Sequence, residues 1–170
     1  MFKRLLLLVL LVLAASVPGV QAGSGVAKAF QKLQSLAGDW EGRDDKGNVV
    51  TSKFNLVVSD TAVLETLRMS GMDEMLTVYS VDNDAIAMLH YCPTNNQPQM
   101  RAIPPNGEIK ELVFQFQRAG NLPNIGTGHE HKLVIQFGDE SHMTERWTWR
   151  QNGQETEMVY HFVRVSKKGD

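Results

Sequence analysis

The chain has very few of the residues that mark several large classes of protein. Cys92 is the single cysteine among 170 residues, so no disulfide can form within one copy of the chain. The formal net charge is −2 and no cluster of basic residues occurs, so nucleic acid is not an expected partner. No nucleophile-and-base motif, phosphate-binding loop or helix-borne metalloprotease pattern is present. These absences favour a binding protein over an enzyme.

The first 22 residues have the features of a secretory signal peptide. Lys3 and Arg4 precede an apolar run of eleven residues, Leu5 to Ala15. That run is too short to cross a bilayer, and the small residues that end at Ala22 suit cleavage there. No later apolar run is long enough to cross a membrane. We therefore expect a secreted or periplasmic protein without a transmembrane segment in its mature chain.

The remaining chain changes from a helical to a strand period at Gly38. Ser24 to Ala37 predicts one short amphipathic helix, because Val26, Phe30 and Leu33 recur at helical spacing. Beyond Gly38, apolar and polar residues alternate, and turn signals separate the alternating segments. These segments predict ten strands, near residues 39–43, 49–58, 61–69, 74–81, 85–92, 99–103, 111–118, 129–137, 143–151 and 154–165.

Many short strands with one helix are typical of an up-and-down antiparallel β-barrel or a sandwich. A closed barrel has no exposed edge strands, and ten strands in an open arrangement would leave such edges. The length after cleavage suits one domain. We therefore expect residues 23–170 to form a single all-β domain, a barrel of about ten strands preceded by the short helix.

The C-terminal hairpin predicts the register of three strands. Asn152-Gly153 is the strongest two-residue hairpin signal, and it sets Glu145 opposite Tyr160. The turn before it then sets His131 opposite Trp149. Because opposed residues share a face, one inward face follows, whose members are Met143, Trp147, Trp149, Met158, Tyr160 and Phe162 with the polar residues Glu145 and His131.

Alternating strand directions divide the loops between two ends of the barrel. We call the end that carries Asn152-Gly153 the mouth. Loop 119–128, which is long and glycine-rich as binding loops often are, shares this end with loops 44–48, 70–73 and 93–98. At the far end, Trp40 begins the first strand and Arg164 ends the last. Closure makes these two residues neighbours, and a cation–π contact of about 1–2 kcal/mol would form a structural floor.

Two groups of residues resemble known families. Gly38-Asp39-Trp40-Glu41-Gly42 after a short helix, with an inward Arg164 in the last strand, resembles the Gly-x-Trp and arginine signature of the lipocalin and calycin barrels. The run from His90 to Arg101, with Gly128-His129-Glu130-His131 and Trp147-Thr148-Trp149, is similar to a group of uncharacterised bacterial lipocalin-like exported proteins. The resemblance implies a barrel that holds a ligand. Because a disulfide pair is missing and about ten strands are expected rather than eight, a fatty-acid-binding or nitrobindin-like barrel also stays open.

The inferred lumen is mainly apolar, which predicts a small hydrophobic molecule as the partner. His131 and Glu145 would supply orienting polar contacts. Burial would raise the pKa of Glu145 unless a partner such as Tyr160 satisfied it. The apolar lining is expected from Phe114, Phe116, Leu133, Ile135, Phe137, Trp147, Trp149, Met158, Tyr160 and Phe162.

A transition-metal site at the mouth is the alternative. His129 and His131 are two apart on one strand, roughly 6.5–7 Å at the backbone, so both imidazoles would face the same side. With His90 and Cys92 they form a possible set of four ligands for zinc or copper. Equally, the histidines can be hydrogen-bonding members of a polar mouth, with Cys92 a small buried residue. Thioethers at Met69, Met72 and Met75 suit Cu(I) but are more often adaptable pocket lining. No other cofactor is expected, and the sequence leaves the oligomeric state open.

Overall fold

The structure is a computed structural model that describes residues 24–166. The predicted signal peptide, residues 1–22, lies outside the described residues. One helix and ten strands follow in chain order: α1 (Ser24–Gln34), β1 (Gly38–Asp44), β2 (Val49–Val57), β3 (Ala62–Met69), β4 (Met75–Asp82), β5 (Ala85–Tyr91), β6 (Gln97–Ala102), β7 (Glu111–Gly120), β8 (His129–Phe137), β9 (His142–Gln151) and β10 (Gln154–Arg164).

The ten strands form one closed antiparallel barrel. Each strand pairs with its neighbours in sequence, and β1 closes the barrel by pairing with β10 as well as with β2. This confirms the predicted all-β up-and-down barrel with a short N-terminal helix. In the described range, no helix is long and apolar enough to cross a membrane. The helix stops at Gln34 rather than at Ala37, because the N–H groups of Leu36 and Ala37 bond to carbonyls three residues back.

The register of the C-terminal hairpin agrees with the sequence pattern. Asn152 and Gly153 have φ values of 50° and 77°, as a two-residue type I′ turn requires. Glu145 lies opposite Tyr160, so the inward face predicted for β9 and β10 is confirmed. Asn is one of the few residues besides glycine that tolerates this backbone conformation, which explains why this dipeptide sets the register so firmly.

The register predicted between β8 and β9 is wrong at one point. The structure sets Glu130, not His131, opposite Trp149. A β-bulge between Glu130 and Lys132 inserts His131 as an extra residue, and beyond it Leu133 returns to the predicted position opposite Trp147. A bulge changes the face of the residues on one side of it, so the carboxyl of Glu130 faces the lumen instead of the His131 imidazole.

Helix α1 lies across the far end of the barrel. It contacts β4 and β5, and Gln34 Nε2 donates a hydrogen bond of 2.9 Å to the carbonyl of Asp60 in a far-end turn. Its buried residues, Val26, Ala29, Phe30 and Leu33, join the core. The helix therefore covers the far end, and the mouth is the end that stays open.

Trp40 and Arg164 connect the helix to the barrel. The guanidinium carbon of Arg164 lies 4.2 Å from the centroid of the Trp40 ring. Arg164 also donates hydrogen bonds of 2.8 Å to the carbonyls of Ser35, Ala37 and Glu140. A cation at carbonyls that follow a helix also complements the helix dipole. These two residues therefore fasten α1 to the site where β1 and β10 close the barrel.

Inward residues form layers along the barrel axis. Next to α1 the interior is filled with apolar side chains, including Phe54, Phe114, Met143 and Phe162, each no more than 2% exposed. Polar side chains form the next layer towards the mouth, and beyond that layer the lumen is open. The position of the cavity thus follows from the helix that fills one end.

Candidate functional site

A cavity of about 640 Å³ occupies the mouth half of the barrel. Its inner wall comes from β3, β4, β5, β8, β9 and β10, and its rim from the turns after β1, β3 and β5. Apolar and sulfur-containing side chains dominate the wall. The lining residues are Asp44, Asp45, Lys46, Leu67, Met69, Met72, Met75, His90, Cys92, Pro93, Thr94, Glu130, Trp147, Trp149, Thr156, Glu157, Met158, Val159 and Tyr160.

Two carboxylic acids lie in the polar layer beneath the cavity. Glu65 and Glu145 are each 0% exposed, one inward position deeper than the lining residues Leu67 and Trp147. Glu65 accepts hydrogen bonds from Ser52 (2.8 Å) and Tyr79 (2.7 Å), and Glu145 accepts one of 3.0 Å from the indole of Trp147. Trp147 thus connects this layer to the cavity wall.

The two acids affect each other's ionisation. Burial raises the pKa of both groups, and the charge of Glu65 raises that of Glu145 further. Glu65 accepts two hydrogen bonds, whereas Oε1 of Glu145 is buried without a hydrogen-bond partner. The ionised form is therefore less well stabilised in Glu145 than in Glu65. The pair is a structural layer of the barrel, below the space that a ligand could enter.

Glu130 supplies a carboxyl group to the cavity itself. It is 6% exposed, and its Oε2 atom is buried without a hydrogen-bond partner. Burial raises the pKa of Glu130 to about 8, so the acid is largely protonated at neutral pH. A buried carboxyl without a hydrogen-bond partner lowers the stability of the folded protein, and in a cavity it is available to bind a ligand.

His90 brings a second unpartnered polar atom to the cavity wall. Its Nδ1 is 2.9 Å from the hydroxyl of Thr77, and its ring packs 4.7 Å from the Trp147 ring. The other nitrogen, Nε2, is buried without a partner. Burial lowers the pKa of His90 to about 4, so the imidazole is neutral and brings no positive charge to the site.

The hydroxyl of Tyr160 can also donate a hydrogen bond to a ligand. Its hydroxyl donates only towards two thioether sulfurs, those of Met69 at 3.1 Å and Met158 at 3.7 Å. Thioether sulfur is a weak acceptor, so this hydroxyl can change partners at little cost. Burial, with a smaller contribution from the charge of Glu130, raises the pKa of Tyr160, which keeps it a neutral donor.

His129 and His131 form a hydrogen-bonded chain beside the lumen rather than within it. Arg150 lies 2.9 Å from Nε2 of His131, and because arginine only donates, that nitrogen is the acceptor. The proton on Nδ1 of His131 then points to Nε2 of His129 at 3.1 Å, and Nδ1 of His129 donates to the carbonyl of Thr127 at 2.7 Å. Both imidazoles are therefore neutral and protonated on Nδ1.

This chain positions the long mouth loop. Thr127 belongs to the loop, and its neighbour Gly128 has no room for a side chain, because a Cβ there would overlap the indole of Trp149. The buried amide of Asn96 donates a hydrogen bond of 3.0 Å to the Gly128 carbonyl. The loop thus supports Trp149 from behind, and Trp149 forms part of the cavity wall.

The predicted ligand-contacting residues divide into two groups. Trp147, Trp149, Met158 and Tyr160 line the cavity. The other four do not: Phe114 and Glu145 are buried beneath it, and Phe116 packs against His129 and His131 with ring centroids 4.7 and 5.0 Å apart. Glu145 accepts its hydrogen bond from Trp147 and not from the expected partner Tyr160.

The four predicted metal ligands are not brought together. His90 and Cys92 line the cavity, whereas His129 and His131 lie in the chain with Arg150. Within residues 24–166, no group of three or more His, Cys, Asp or Glu side chains is arranged to hold a metal ion. The β-bulge is the physical reason, because it turns the His131 imidazole away from the lumen.

The fold and cavity define a closed ten-stranded antiparallel barrel that fits the calycin type. Among solved structures, the chain is similar to a protein of unknown function from the DUF3598 family of Nostoc punctiforme, with a TM-score of 0.52 and 10% identity. The similarity covers 78% of this chain and 49% of that one, so the chain spans about half of that protein's length. No protein-family model and no curated protein matches the chain. The likeness concerns the fold alone.

Proposed function

We propose that the protein is an exported lipocalin-like carrier that holds one small, largely apolar molecule in the mouth cavity. The observation that carries this proposal is the cavity itself. Its volume of about 640 Å³ lies within the roughly 300–1,000 Å³ typical of small-molecule sites. Its wall combines aromatic and thioether side chains with a few polar groups, the composition that such sites share.

Export is part of the same proposal. The basic and apolar pattern of the first 22 residues suits a cleavable signal peptide. A carrier for an apolar molecule is useful in an aqueous compartment outside the cytoplasm, where such a molecule would otherwise partition into membranes. Secretion or the periplasm is therefore the proposed location.

Titration with a neutral, environment-sensitive dye such as N-phenyl-1-naphthylamine tests the carrier function. We expect saturable binding at one site and a blue shift of the dye's emission. The dye is excited directly, so that changes in tryptophan fluorescence do not interfere. Met158→Trp would fill part of the cavity. It should weaken dye binding at least about tenfold, because the closely packed wall cannot move aside to restore the volume that the larger side chain occupies. Saturable binding that Met158→Trp leaves unchanged would place the dye elsewhere and contradict the proposal.

Val163→Trp is the matched control for that variant. Val163 lies on the same strand, β10, but its side chain is 50% exposed on the outer face. The same bulky side chain at this position should leave dye binding unchanged. Loss of binding in both variants would mean that the barrel, not the cavity, had been disturbed.

A soft-metal site is a second candidate, favoured by one observation. The thioethers of Met69, Met75 and Met158 line the same cavity as Cys92 and His90, and extension of the β4–β5 register sets Met75 opposite Cys92. Sulfur and imidazole ligands suit Cu(I). This set differs from the predicted one, because His129 and His131 take no part in it.

Competition with a chromogenic Cu(I) chelator tests this second candidate. If the site binds copper, Cys92→Ala and Met75→Leu should each release Cu(I) to the chelator at lower chelator concentration than the wild-type protein does. Met100→Leu is the control, since Met100 is buried but does not line the cavity. Equal release from all four proteins would remove the copper hypothesis.

A further inference from the structure

The cavity has an acidic electrostatic character. Four of its lining residues are acids, Asp44, Asp45, Glu130 and Glu157, and among the described residues that line it Lys46 is the single lysine or arginine. Asp45, Lys46 and Glu157 are exposed on the rim, whereas Glu130 is buried in the wall. A negatively charged molecule would therefore meet acidic groups at the entrance and inside, with no buried base to neutralise it.

The wall is well suited to a positive charge. The rings of Trp147, Trp149 and Tyr160 line it, and aromatic faces attract cations by about 0.5–2 kcal/mol, most strongly for Trp and in desolvated sites. The buried Oε2 of Glu130 lacks a hydrogen-bond donor, and an ammonium group is a donor with the complementary charge. Neutral His90 adds an unpartnered nitrogen without a competing charge.

Resting on the proposed function, we propose that the ligand class is lipophilic amines, with the ammonium group bound at Glu130 and the apolar part held by the tryptophans and methionines of the wall. The cavity has both elements that such a molecule needs, an apolar wall and one buried carboxyl without a partner. Ionising Glu130 costs little near neutral pH, because its pKa of about 8 is close to the ambient value. A bound cation offsets that cost and lowers this pKa further. The acidic rim steers cations towards the entrance.

Three ligands with the same ten-carbon chain separate charge from hydrophobicity. Decylamine, decan-1-ol and decanoate are titrated by calorimetry at pH 7 and moderate salt. We expect decylamine to bind at least about tenfold more tightly than decanol, and decanoate to bind most weakly of the three. Equal affinity for decylamine and decanol overturns the amine proposal and leaves the apolar carrier standing. If none of the three binds, both proposals fail.

Glu130→Gln tests the residue that carries the proposal. Glutamine is nearly isosteric with the protonated acid, so the fold and the affinity for decanol should be retained while the preference for decylamine falls to less than about threefold. Glu155→Gln is the control, because Glu155 is exposed on β10 and does not line the cavity; it should keep the full preference. An unchanged preference for decylamine in Glu130→Gln overturns the assignment.

Discussion

Glu130 is the cross-strand partner of Trp149, at a β-bulge that places the next residue outside the lumen. This pairing puts a buried carboxyl in the mainly apolar inner wall of the cavity. The same bulge places His131 where it hydrogen-bonds to His129 and Arg150, and these hydrogen bonds help to position the mouth loop. One irregularity in β8 thus creates two different environments, an acid inside the barrel and a pair of neutral imidazoles beside it.

The first prediction concerns pH and Glu130. The pKa of this acid rises from 4.5 to about 8 on folding. Between these values the folded protein binds more protons than the unfolded chain, so the stability due to protonated Glu130 is complete below pH 4.5 and is lost as pH rises through 8. The free energy of unfolding of Glu130→Gln should therefore rise relative to that of the wild type by about 1.6 kcal/mol from pH 6.5 to pH 8, as measured in urea titrations.

Other titrating groups require a control for this measurement. Tyr160 and His90 share the cavity with Glu130. The pKa of His90 is lowered from 6.5 to about 4, so the neutral imidazole contributes to the free energy of unfolding with the opposite pH dependence, and this contribution is lost as pH falls below 6.5. The chosen range lies above that window. Glu108→Gln, which replaces an exposed acid, should show no change with pH relative to wild type. A flat difference for Glu130→Gln would mean that its carboxyl is solvated.

The second prediction concerns the floor. Trp40→Leu and Arg164→Met should each destabilise the barrel, because the two residues are in contact and both bond to carbonyls after α1. In a double-mutant cycle measured by urea unfolding, the two changes should be non-additive by about 1–2 kcal/mol. Lys53→Met removes an exposed ion pair with Asp39, and its effect on the free energy of unfolding should add to that of Trp40→Leu. Additive effects of the first pair would show that the contact carries no coupling energy.

The third prediction concerns the acid pair beneath the cavity. Because burial, and next the charge of Glu65, raise the pKa of Glu145 well above its ordinary value, infrared spectra at neutral pH should show the carbonyl band of a protonated carboxyl. Glu130, whose pKa is about 8, contributes to the same band, so the spectra are compared in the Glu130→Gln background. Glu145→Gln should weaken the remaining band while the barrel remains folded. A band that Glu145→Gln leaves unchanged would refute a protonated Glu145.

The fourth prediction concerns His131. Desolvation, and next the charge of Arg150, lower its pKa, so Arg150→Met should raise it towards 6.5. Imidazole nitrogen resonances should show Nδ1 protonated in both His129 and His131 of the wild-type protein. Arg146→Met, a change of another arginine on β9, should leave the His131 titration unaltered. The chain of hydrogen bonds is incorrect if His131 carries its proton on Nε2.

Most of the fold could be predicted because several local signals agreed. Asn152-Gly153 set the hairpin, the alternation of apolar residues set the inward face, and ten short segments favoured a closed sheet over an open one. Each signal depends on neighbours in sequence, which is where sequence patterns are informative. Trp40 and Arg164 could be placed near each other for a related reason, since barrel closure makes the first and last strands adjacent.

The site was harder to predict because it depends on irregularities and on distant residues. A β-bulge has no reliable signature in a single sequence, so His131 was predicted to face inward at the position opposite Trp149 that Glu130 takes. Glu65 was missed because alternation alone does not tell which buried acid meets another acid across a barrel. The depth of the cavity was also missed, since it depends on how α1 fills the far end and leaves Phe114 beneath the open space.

The most direct test of the central claim uses the three tryptophans as reporters. Trp147 and Trp149 line the cavity, whereas Trp40 lies at the far-end floor. In heteronuclear NMR spectra, titration with a neutral apolar ligand such as decan-1-ol should shift the indole N–H signals of Trp147 and Trp149 with one common dissociation constant and leave that of Trp40 unchanged. Saturable binding that shifts Trp40, or that shifts neither Trp147 nor Trp149, would contradict a ligand site at the mouth.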